Sequence, residues 1–63
     1  MKTEAKAVVL RPGQVCPRSG QYALVWVSNG VLTGVERTVM WGEKVPPTEV
    51  TGQGYILVEE MRN

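Results

Sequence analysis

The stretch QYALVWVSNGVLTGVERTVMW, residues 21–41, decides the fold. Two valine-rich runs flank Asn29-Gly30, the strongest short-range signal for a β-hairpin. A two-residue type I′ turn needs positive φ at both central positions, which Asn and Gly tolerate. With those two residues as the loop, Tyr22 faces Arg37, Leu24 faces Val35, Trp26 faces Thr33 and Val27 faces Leu32. One face then carries Tyr22, Leu24, Trp26, Val31, Val35 and Val39. The other carries Ala23, Val25, Val27, Leu32, Gly34, Glu36 and Met40. The first strand is apolar on both faces, which predicts a central or doubly covered strand. The second is polar at Glu36, Arg37 and Thr38 and reads as half exposed. Gly34 marks either a bulge or a close approach of another backbone. The register is expected to be firmest beside the turn.

Working outward, the chain holds eleven valines against four leucines and one isoleucine. Stiff β-branched residues between Gly and Pro clusters favour strands. GYILVEEM, residues 54–61, reads as a third strand. AKAVVL, residues 5–10, reads as a fourth, ended by a turn with Pro12 at its first central position. A short helix over residues 1–9 competes for that segment, since Glu4 to Ala7 are fair helix formers. VCPRSGQY, residues 15–22, reads as a turn in which Gly20 allows a positive φ. In WGEKVPPTEVTGQGY, residues 41–55, Pro46-Pro47 cannot donate ladder hydrogen bonds and forces an extended path. Gly52 and Gly54 bracket a reversal into the last strand. The expectation is one all-β domain over residues 1–63, a meander of four to five strands or a partly open SH3-like barrel.

A chain of 63 residues buries only about 60% of the surface its unfolded form exposes, so its core is marginal unless supplemented. Cys16 is the sole cysteine and there is no histidine. An internal disulfide is thereby excluded, and so are the common zinc sets, leaving association with another copy as the open supplement. No metal site or cofactor is predicted. The net charge of +1 without a basic run disfavours nucleic acid and anionic membranes as partners. There is no membrane-length apolar run and no signal-peptide core, so the cytoplasm is the expected location.

Catalysis has little to work with. A nucleophilic Cys16 lacks the histidine base it normally needs, and a small buried apolar role fits it better. Arg18-Ser19-Gly20 could form an anion-binding nest, but neither a P-loop nor a dinucleotide fingerprint accompanies it. Glu59 and Glu60 point to opposite faces of a strand and cannot act on one bond. Edge charges that discourage aggregation are their expected role. The chain is read as a non-enzyme.

The aromatic residues carry the binding potential. Trp26, mid-strand among apolar neighbours, is expected in the core. Trp41, at a strand end before Gly42, is the surface candidate, and Tyr22 opposite Arg37 suggests a cross-strand cation–π contact.

The order GQVCPRSGQY, GEKVPP and GQGYILVEE resembles a group of small bacterial proteins of no assigned activity, including the YjzC-like family. Some sequences similar to this pattern carry cysteine pairs where this chain has ALVWVSNG and TEVTGQG. The resemblance implies a small β scaffold held by its core where relatives would use metal, and it transfers no site residue.

The sequence thus points to a protein-interaction module that associates with itself or with another protein. Its candidate interface is Trp41, Pro46, Pro47 and Tyr55. The alternative is a small nucleic-acid-binding barrel that stacks bases on Tyr22, Trp26 or Trp41 beside Arg18, Arg37 and Lys44.

Overall fold

A computed structural model describes residues 9–61. Among them the fold is all-β, with no helix: β1 is Gly20–Trp26, β2 is Leu32–Val39 and β3 is Gln53–Glu60. They form one antiparallel sheet in the order β2-β1-β3. The doubly apolar strand is the central one, as expected. Tyr22 on one face and Val25 on the other are both buried. Because β2 and β3 flank β1 from opposite sides, residues 40–52 must cross the sheet. They cross the Tyr22 face, where Val45 joins Leu10, Cys16, Tyr22, Val39 and Tyr55 in the buried cluster. Leu24 and Leu57 pack against it half-buried.

The hairpin forms, but not through a type I′ turn. Gly30 has φ +73° while no non-glycine residue has positive φ, so Asn29 does not adopt the required conformation. Instead Trp26 N–H donates to Val31 O at 3.0 Å and Gly30 N–H to Trp26 O at 2.7 Å, closing a loop over residues 27–30. The Asn29 side chain accepts from Val31 N–H at 2.9 Å, and Val27 N–H is taken by Gly52 O at 2.9 Å. Val27 is thus bound towards the β3 side and has no ladder partner in β2.

The longer loop moves the register. Away from the turn the expected pairing holds, with Tyr22 opposite Arg37 and Gly20 opposite Val39. Beside the turn it fails, because Val25 faces Leu32. The shift of two residues is absorbed at Thr33–Val35, where Gly34 sits at φ +95° with open space around it. Gly34 therefore marks a bulge and not a close approach. An even shift preserves the alternation, so the face assignments survive although the pairs do not.

β3 carries its own bulge, since Tyr22 faces Leu57 but Gln21 faces Glu59, leaving Val58 extra. Gly20, expected to supply a positive φ, instead supplies the absence of a side chain. A Cβ there would collide with the Glu59 carbonyl oxygen and stand 2.7 Å from Leu57 Cδ1.

The predicted fourth strand falls partly outside the described residues. Within them Leu10 exchanges both backbone hydrogen bonds with Tyr55, at 2.8 and 3.0 Å. Gln14 N–H then bonds Arg11 O across the expected Pro12-Gly13 turn. Beyond that turn, Val15 bridges to Lys44 within the crossover. No helix long and apolar enough to cross a membrane occurs among the described residues.

Candidate functional site

Cys16 is fully buried. Its thiol lies 3.0 Å from Arg18 O and 3.4 Å from the Tyr22 hydroxyl. That hydroxyl donates to Arg18 O at 2.6 Å. Burial above all, then the hydrogen bond to Cys16 and the proximity of its thiol, push the Tyr22 phenol up to about 12. Sulfur, phenol and carbonyl form a closed polar knot inside the core. It satisfies the groups a buried Tyr and Cys bring with them and offers a solute no access.

The Arg18-Ser19-Gly20 stretch is likewise occupied internally. Ser19 O accepts from Met61 N–H at 2.8 Å, and Ser19 Oγ accepts from Trp41 N–H at 2.7 Å. Arg18 pairs with Glu60 at 3.1 Å, the one ion pair among the described residues. Glu59 faces away from it, opposite Gln21.

Trp41 sits on a reverse turn in which Glu43 N–H donates to Met40 O at 3.0 Å. The Glu43 carboxylate accepts from Met40 N–H at 2.9 Å, and Gly42 N–H donates to Cys16 O at 2.9 Å. The turn is tied to residues 16–19 while the Trp41 residue remains 73% exposed. Such a side chain is presented on a preordered backbone, which lowers the entropic cost of binding through it. Trp26 departs from its expected place in the core. It ends β1 and is 36% exposed, because the strand stops where the loop begins and the crossover reaches the sheet lower down.

The remaining candidates separate. Tyr55 is buried, at 1% exposure, in the central cluster. Pro46 is half-buried and Pro47 exposed on the crossover. Pro47 and Tyr55 do meet, however, in a groove of about 260 Å³ on the Tyr22 face of the sheet. Its floor is Leu24, Gln53 and Tyr55. One wall is Thr33, Val35 and Arg37 of β2, and the other is Pro47 to Val50 of the crossover. Trp41 and Pro46 are not part of it.

Sequence reasoning missed Gln53 in this groove. It is 8% exposed, the one buried polar residue among those described. Its signal was available: Gln53, Tyr55 and Leu57 share a stripe, and a lone amide on a buried stripe needs an explanation. Among the described residues no group of three or more His, Cys, Asp or Glu gathers to hold a metal ion. Compared with family models, curated proteins and solved structures, the chain matches none.

Proposed function

We propose that this chain is a non-catalytic protein-interaction module that associates with a second copy of itself. The observation that carries the reading is the outer side of β2. Among the described residues this edge strand pairs with nothing beyond β1. Val31, Leu32, Val35 and Trp41, in or next to it, are all exposed. An unpaired edge of eight residues is a template for another strand. Antiparallel pairing with the same edge of a second copy would satisfy its N–H and C=O groups and cover those side chains.

We read the scaffold as a partly open SH3-like barrel. The bridges of Leu10 to Tyr55 and of Val15 to Lys44 support residues 10–16 and 43–45 as rudimentary fourth and fifth strands. The resemblance to small YjzC-like β proteins is compatible with such a scaffold.

Sedimentation equilibrium with and without reductant tests the function. A dimer indifferent to reductant is expected, since Cys16 is sealed in the core. Leu32→Lys and Trp41→Ser should each shift it towards monomer by about tenfold in Kd. A monomer at every concentration would remove self-association.

A further inference from the structure

We propose that the groove between β2 and the crossover takes an uncharged, extended peptide segment, inserting one apolar side chain and pairing its backbone amides with the Gln53 carboxamide. The inference rests on the chain being a protein-interaction module, but not on its self-association.

Gln53 is the first support. The residue lines the groove and is more than nine-tenths buried, yet its side chain has no hydrogen-bond partner among the described residues. The neighbouring hydroxyls are already used. Thr33 Oγ1 donates to Leu24 O at 3.0 Å, and Thr48 Oγ1 to Val50 O at 3.0 Å. A buried amide left unpaired is destabilising, and an occupant relieves that cost. A carboxamide offers a donor and an acceptor side by side, the pattern that the N–H and C=O of an extended residue complement.

The walls decide the rest. Leu24, Val35, Pro47 and Val50 present apolar surface to whatever enters. One wall bears the cation Arg37 and the other the carboxylate Glu49, so the rim is neutral in sum and offers a polyanion no net attraction. The volume falls below the ~300–1,000 Å³ of pockets that engulf a drug-sized molecule. It suits a side chain with its flanking amides, not a whole nucleotide.

The test is a two-dimensional NMR titration of the full chain with the capped peptide acetyl-Gly-Val-Leu-Val-Gly-amide, with uridine 5′-monophosphate as the anionic alternative. The Gln53 side-chain NH₂ pair and the Leu24 and Val35 amides should move with the peptide and not with the nucleotide. Gln53→Leu should weaken the peptide about tenfold while leaving the melting temperature unchanged or higher, since it removes the unpaired amide. Val50→Lys, at an exposed wall position, should keep the fold and abolish the shifts.

Absence of shifts, shifts with the nucleotide alone, peptide binding undiminished in Val50→Lys, or a lower melting temperature in Gln53→Leu would each overturn the proposal. Groove shifts that grow with protein concentration before any peptide is added would assign the site to a second copy and overturn the peptide. Sedimentation of the same samples keeps the readings apart. A monomer that binds the peptide removes self-association alone, and a dimer that ignores it removes the groove alone.

Discussion

The two flanks of β1 are made of similar residues and end in opposite states. On one side β3 starts with three buried residues, Gln53 to Tyr55. On the other, β2 is buried only at Val39. Composition does not separate them, since β2 holds Leu32, Val35 and Val39 and β3 holds Ile56, Leu57 and Val58. What separates them is the cover that the rest of the chain provides. Leu10 pairs with the outer side of β3, and the crossover brings Val45 onto Tyr22 and Tyr55. Nothing among the described residues does the same for β2. In a chain this short only one flank is enclosed. Stability therefore concentrates at β1–β3, and β2 is left with an open edge and exposed side chains.

Glycine substitutions probe that asymmetry most sharply. Gly20→Ala should cost about 3 kcal/mol, because its Cβ would strike a backbone carbonyl in the β3 bulge, which no rotamer change can relieve. Gly34→Ala, in the β2 bulge, meets open space and carries only the penalty of a positive φ, about 1–2 kcal/mol. In a domain of this size 1 kcal/mol moves the melting temperature by roughly 4–8 °C, so calorimetry resolves the difference. Equal losses at the two positions would mean that the β1–β3 flank is not the tighter one.

The buried knot beneath that flank makes a prediction in pH. The Tyr22 phenol is pushed up to about 12 in the folded chain from its ordinary value of 10.0. Its contribution is complete below pH 10, where the phenol is protonated folded and unfolded alike. Between pH 10 and 12 the unfolded form alone loses the proton, and stability falls by on the order of 2 kcal/mol. Tyr22→Phe should give up about 1 kcal/mol at neutral pH, through the lost bond to Arg18 O. It should also flatten the decline above pH 10. Chemical denaturation at pH 7, 10 and 12 measures both, and an equally steep alkaline loss in the Phe variant would locate the effect elsewhere.

Much of this architecture was legible in the sequence, for definite reasons. A strand apolar on both faces was expected to be central or doubly covered, and it is central; of the two readings of Gly34, a bulge or a close backbone approach, the bulge is the one that forms. Gly20 was legible as special but not why, because its constraint is a contact with Glu59, adjacent in the fold but far along the sequence and invisible to local turn chemistry. The type I′ expectation failed because Val27 N–H had a competitor, Gly52 O, that no local pattern announces. Trp26 was expected inside because its neighbours are apolar, yet the crossover that would cover it descends elsewhere. At the candidate site, Trp41 could be placed on the surface from its position before Gly42. The groove could not be foreseen, since it exists only where residues 47–50 pass β2.

The smallest effect expected is at the sheet's end, where Arg18 meets Glu60 through two contacts from one guanidinium nitrogen, at 3.1 and 3.2 Å. The pair spans the same β1–β3 flank, and by position alone it would be counted among the contacts that hold it. Exposure argues otherwise: the side chains are 62% and 46% accessible. Water already solvates both charges well, and ordering two long side chains offsets much of the Coulomb gain. The backbone of Arg18 is held independently, by its carbonyl's bond from Tyr22, so removing the guanidinium does not release the turn. Arg18→Ala should therefore change stability by less than about 0.5 kcal/mol, and the difference from the parent should shrink as salt rises from 50 mM to 1 M. A loss comparable to that of Tyr22→Phe would show that charge at the rim, and not the buried knot, fastens the closed flank.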